Sequence, residues 1–68
     1  MSMSPYYRVT LMRCNEFGPD GPQAGEEGRT VGGPIYDEDE VWYHVLFPGF
    51  PGAYYNVRDD MMTMVPGY

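Results

Sequence analysis

Lysine is absent from this chain, and the basic residues are only Arg8, Arg13, Arg29 and Arg58, against ten Asp and Glu. Proteins that bind nucleic acid neutralise phosphates with clustered cations. Four dispersed arginines and a formal net charge of -6 therefore argue against direct nucleic-acid contact and against an anionic membrane surface. Cysteine and histidine occur once each. An internal disulfide is excluded, and Cys14 with His44 cannot by themselves complete a tetrahedral zinc site. No run approaches the ~18 apolar residues of a membrane span, and no basic, apolar leader opens the chain. The expected compartment is the cytoplasm, where a single free thiol is ordinary. Helix signals are almost missing too, because nine glycines and seven prolines interrupt nearly every window long enough for three turns.

What is present is aromatic and β-rich. Of 68 residues, 43% are hydrophobic and 16% aromatic, which favours a folded domain over disorder. One domain fits in this length, 1–68, and it buries only about 60% of the surface its unfolded chain exposes. With neither disulfide nor metal, the fold rests on apolar packing, backbone ladders or a partner.

Alternation over 6–14 predicts a first strand, with Tyr7, Val9 and Leu11 on one face and Tyr6, Arg8 and Thr10 on the other. A Gly/Pro-rich connection over 15–34 follows, long enough to be expected functional or mobile. Within it, 28–32 opens a second strand that continues through Ile35 and Tyr36, with a bulge or bend at Gly32, Gly33 and Pro34. Asp37, Glu38, Asp39 and Glu40 make an acidic turn.

The strongest signal is a β-hairpin, 41–47 and 53–58 about the turn Pro48-Gly49-Phe50-Pro51-Gly52. A symmetric turn pairs Phe47 with Ala53, Val45 with Tyr55 and Tyr43 with Val57 on an inner face. The outer face then sets Trp42 against Arg58, His44 against Asn56 and Leu46 against Tyr54. A slip of one residue would exchange the two faces. Asp59-Asp60-Met61 reads as a single helical turn, 62–65 as a closing strand and 66–68 as a loose tail.

From Gly28 to Val65 the chain runs G-x-x-V, an acidic turn, W-Y-x-V-x-F, a Gly-rich hairpin, Y-x-V-x-x-D-x-M and a closing strand. That layout resembles the SH3-like small barrels, including bacterial SH3-like, Tudor-like and KOW-like domains, some small immunity proteins and the barrel of the nitrile hydratase β subunit. The resemblance implies an all-β, five-stranded barrel whose interior holds Tyr7, Val9, Leu11, Val31, Ile35, Val41, Tyr43, Val45, Phe47, Tyr55, Val57, Met62 and Met64. It carries little about function, since this barrel hosts many unrelated tasks. The A-L-Y-D-Y segment of eukaryotic SH3 domains lies in their long loop. Here Ile35-Tyr36-Asp37 stands just before the central hairpin, so no proline-peptide groove is carried over.

Candidate contact residues are Trp42, Leu46 and Tyr54 on the outer face of the hairpin, Phe50 at its tip, and the acidic turn Asp37, Glu38, Asp39 and Glu40. The competing reading of the aromatics is packing under the long loop, and that of the acids is a solvated turn. Trp42 against Arg58 is set for a cation–π contact that stabilises the hairpin. A methyl-lysine cage from Trp42, Tyr43 and Tyr54 is opposed by alternation, which turns Tyr43 to the other face. The acidic run lacks the glycine and distal glutamate of a calcium loop. No nucleophile signature surrounds Cys14, and a barrel this small offers no pocket to exclude water from His44, so neither catalysis nor a cofactor is expected.

The expected function is non-catalytic protein binding to a larger, basic partner. Its concrete form is a small acidic bacterial or phage inhibitor or immunity-type protein that blocks a larger enzyme. The alternative is an accessory or stabilising subunit of a metabolic enzyme complex, and a nucleic-acid-binding barrel ranks below both. A homodimer through an outer sheet face is also compatible with the sequence.

Overall fold

The computed structural model describes residues 6–12 and 17–67. The described chain is all-β: β1 (Tyr7–Leu11), β2 (Glu27–Asp37), β3 (Glu40–Leu46), β4 (Tyr55–Arg58), a single 3₁₀ turn (Asp59–Met61) and β5 (Met62–Pro66). They form one antiparallel, unclosed sheet in the order β4-β3-β2-β1-β5. No helix among the described residues is long and apolar enough to cross a membrane. Cys14, Arg13 and Tyr68, with the expected first-strand end and the start of the long connection, lie outside the described residues.

The central hairpin has the register expected from alternation: Trp42 with Arg58, Tyr43 with Val57, His44 with Asn56 and Val45 with Tyr55. Val45 and Val57 are fully buried. They meet Val9 and Leu11 of β1, Phe47, Met61 and Met62 in one apolar cluster. Strands from both ends of the sheet thus share a single core, and the 3₁₀ turn that joins them buries Met61 within it.

Four expected core residues lie elsewhere. Thr30 pairs with Val45, so Thr30 and not Val31 faces inward; it is buried, and its Oγ1 accepts from the Tyr7 N–H at 2.9 Å. Val31 opposes His44, and Ile35 opposes Trp42, both on the outer face. Between those two pairs Gly32, Gly33 and Pro34 stand against Tyr43 alone. This is a bulge with an even number of extra residues, so alternation survives it and only the path of β2 bends. Val41 is half-buried, and Tyr7 is exposed at the rim, its ring edge-on to Tyr43 at 6.2 Å.

The long connection is shorter than expected, because 27–34 belong to β2. Its described part is packed. Phe17 lies edge-on to Tyr55 at 5.2 Å, Pro22 is fully buried, and the Gln23 amide donates to the Gly18 and Gly21 carbonyls, both at 2.9 Å. The tail is also tied down as far as Gly67, since Pro66 closes β5 and the Gly67 N–H donates to the Tyr6 carbonyl at 3.1 Å.

β1 pairs with β2 only over Glu27 to Arg29, so beyond the bulge the β2–β3 hairpin runs on without β1 alongside it. Every residue from 32 to 39 is exposed, and the molecule is elongated, 40 × 29 × 20 Å. The acidic turn is therefore the tip of a projecting arm.

Candidate protein-binding surface

The arm ends in Asp37, Glu38 and Asp39, all exposed and making no ion pair or side-chain hydrogen bond among the described residues. Glu38 holds φ at 55°, a left-handed conformation that a glutamate adopts at a cost. Tyr36 beside it is 74% exposed. It shares the face of Val41 and lies beyond the stretch of β2 that pairs with β1.

Glu40, the fourth acid of the expected patch, behaves differently. It is half-buried and committed within the molecule. One carboxylate oxygen accepts from the Trp42 indole Nε1–H at 3.2 Å and the other from Arg58 Nη1 at 2.9 Å. Arg58 also donates through Nε to Asp60 at 2.7 Å, and its guanidinium carbon lies 5.9 Å from the centroid of the Trp42 ring. The bonds to Asp60 and then Glu40 raise the Arg58 pKa above its ordinary value, so the cation is held charged. The expected cation–π pair is present as part of this network, which braces the root of the arm.

Trp42 itself is half-buried and packs against the core cluster. Trp42, His44 and Leu46 follow one another on the outer face of β3, with Tyr54, 59% exposed, reaching the His44 ring at 5.5 Å. Phe50 is not part of this row. It folds inward from the hairpin tip, half-buried, with its ring edge-on to Tyr55 at 6.1 Å. Tyr55 also receives Phe47 at 5.8 Å and Phe17, so Phe50 belongs to an aromatic cluster at the end of the core. Tyr43 faces away from Trp42 and Tyr54, as alternation requires of it, and no three-sided cage forms. Burial, and then the neighbouring Tyr7, raise the Tyr43 phenol above its ordinary range.

Grooves mark the outer face among the described residues. One, of about 370 Å³, is lined by Ile35, Asp37, Trp42, His44 and Asn56. Another, of about 470 Å³, runs beside the hairpin turn, lined chiefly by Leu46, Pro48, Pro51 and Gly52 together with Glu27 and Arg29. The structure thus divides the expected surface into an acidic arm with Trp42 at its root and an apolar shelf holding Leu46 and Tyr54. Ile35, Tyr36, Asn56, Pro48 and Pro51 are surface residues that the sequence reading left out of the site. The parity of β2 across the bulge would have found Ile35, since an even insertion keeps it beside Trp42 on the outer face. Among the described residues no cluster of His, Cys, Asp or Glu is arranged to hold a metal.

No protein-family model, curated protein or solved structure matches this chain.

Proposed function

We propose that this protein is a non-catalytic binding module of SH3-like architecture that presents its acidic β2–β3 arm to a larger basic protein. Support for the architecture comes from strand order. β5 lies beside β1 at one end, β4 lies at the other, and a 3₁₀ turn links the two. The observation that carries the functional reading is the tip of the arm. Asp37, Glu38 and Asp39 stand unpaired beyond the core, next to an exposed Tyr36. Backbone strain kept at Glu38, where glycine would be relaxed, is the kind of local cost that functional sites retain. Like charges set close together on an arm steer a cationic surface inward and repel anionic ones. Tyr36 supplies the rigid aromatic contact area typical of interface centres.

The concrete form of this reading is an inhibitor or immunity-type protein that covers the basic substrate-binding surface of a nucleic-acid-handling enzyme. The immobilised full chain, and a variant carrying Asp37→Asn, Glu38→Gln and Asp39→Asn, would be exposed in parallel to host lysate. The reading predicts a stoichiometric basic protein retained by the natural chain and lost from the variant. A partner retained equally by both would remove the arm from the interface. Recovery of a metabolic enzyme complex by both would favour the accessory-subunit alternative.

A further inference from the structure

The groove at the root of the arm has a composition that the acidic tip alone does not explain. Its walls are Trp42 and Ile35, cross-strand partners on the outer face, and its polar lining is Asp37, His44 and Asn56. Asp37 is exposed and unpaired, while the nearby Glu40 is already engaged by Arg58 and Trp42. His44 Nδ1 is buried and has no hydrogen-bond partner, and it is the single such side-chain atom among the described residues. The His44 ring thus lines the groove, while its Nδ1 is closed off from solvent within the wall.

We infer that this groove receives an arginine side chain from the basic partner. The inference rests on the proposed binding function and deepens it by naming what the arm's root recognises. Charge selects the class of guest. The chain carries a net charge of -6, Asp37 lines the groove, and Glu38 and Asp39 extend the negative field outward along the arm. Shape and hydrogen bonding then select guanidinium over ammonium. A guanidinium is planar, weakly hydrated and suited to an aromatic wall, and its fork of donors matches a carboxylate bidentately. Its further N–H groups would serve the Asn56 side-chain carbonyl at the groove wall, whereas a lysine ammonium is a compact and strongly hydrated charge. The same pairing already occurs inside the molecule, where Arg58 lies over Trp42 and is held by Glu40 and Asp60. The groove repeats that chemistry with the arginine left to the partner.

The test uses the ¹⁵N-labelled full chain, titrated at low salt with acetylated hexa-arginine amide and, separately, with the hexa-lysine equivalent. Arginine binding is expected to shift the amides of Ile35, Asp37, His44 and Asn56 and the Trp42 indole N–H, and to exceed lysine binding by about threefold or more. Asp37→Asn is expected to weaken hexa-arginine by about fivefold to tenfold. Asp39→Asn, which removes a charge outside the groove, is expected to weaken it by no more than about twofold. Shifts confined to 37–39, with both substitutions and both peptides equivalent, would overturn the groove while leaving the acidic arm as a general electrostatic contact. No shift with either peptide would overturn both.

Discussion

At the scale of single residues, the core is decided by a few side chains that have no alternative position. Val45 is fully buried between Val9, Val57 and Phe47, so Val45→Ala should cost about 1–3 kcal/mol through the cavity it leaves, read by urea unfolding. Gly28 is equally constrained for the opposite reason. A Cβ there would stand 2.5 Å from the Leu46 carbonyl oxygen and 2.9 Å from a ring carbon of Phe47. Gly28→Ala should therefore cost at least as much as Val45→Ala by the same measurement, because backbone must move to admit it. Tyr43 supplies a pH-dependent check. Its phenol is held neutral in the folded state, first by burial, so its folded pKa is raised. The associated stability is fully present below the ordinary phenol pKa of about 10 and is lost as pH rises through the higher folded value. Ultraviolet titration of the natural chain against Tyr43→Phe should show that the absorbance lost with Tyr43 belongs to a phenol ionising above its ordinary value, with unfolding made easier in the same alkaline window.

At the scale of elements, the central hairpin and the arm show how much of the fold was legible in the sequence. The pairing of 42–45 with 55–58 was readable because two β-rich runs flank one Pro/Gly turn, and a shift of register would have exposed Val45 and Val57. The 3₁₀ turn was readable at Asp59-Asp60-Met61 and β5 over 62–65, although no side chain caps the turn as the two carboxylates suggested. The inward face of β2 was not. Thr30 takes a core position that Val31 was expected to hold, and its hydroxyl earns burial only by accepting from Tyr7, a contact between residues 23 apart that no local pattern announces. The ring contact of Phe50 was not legible either, because its partner Tyr55 becomes a neighbour only after the turn closes. The tip of the arm carries its own prediction. Glu38→Gly should leave the hairpin as stable or more so, by up to about 1 kcal/mol, because glycine adopts φ of 55° without penalty. The same variant should bind the basic partner less tightly. A loss of stability in thermal unfolding would show that the glutamate contributes to the fold.

At the scale of the whole molecule, a chain of 68 residues folds without disulfide or lysine by drawing both ends of one sheet onto a single core. The bulge at 32–34 then carries the β2–β3 hairpin beyond that core. The network of Glu40, Trp42, Arg58 and Asp60 stiffens the arm where it leaves the body. Trp42→Ala should consequently reduce both stability and partner affinity, while neutralising Asp37 and Asp39 should reduce affinity alone. That separation between a braced root and an unpaired tip is the central claim. Hydrogen exchange of the full chain, with and without its captured partner, tests it most directly. The account predicts new protection at the amides of 35–44, with little change along β1 and β5. Protection concentrated on β1 and β5, with the arm exchanging as fast in the complex as alone, would contradict it.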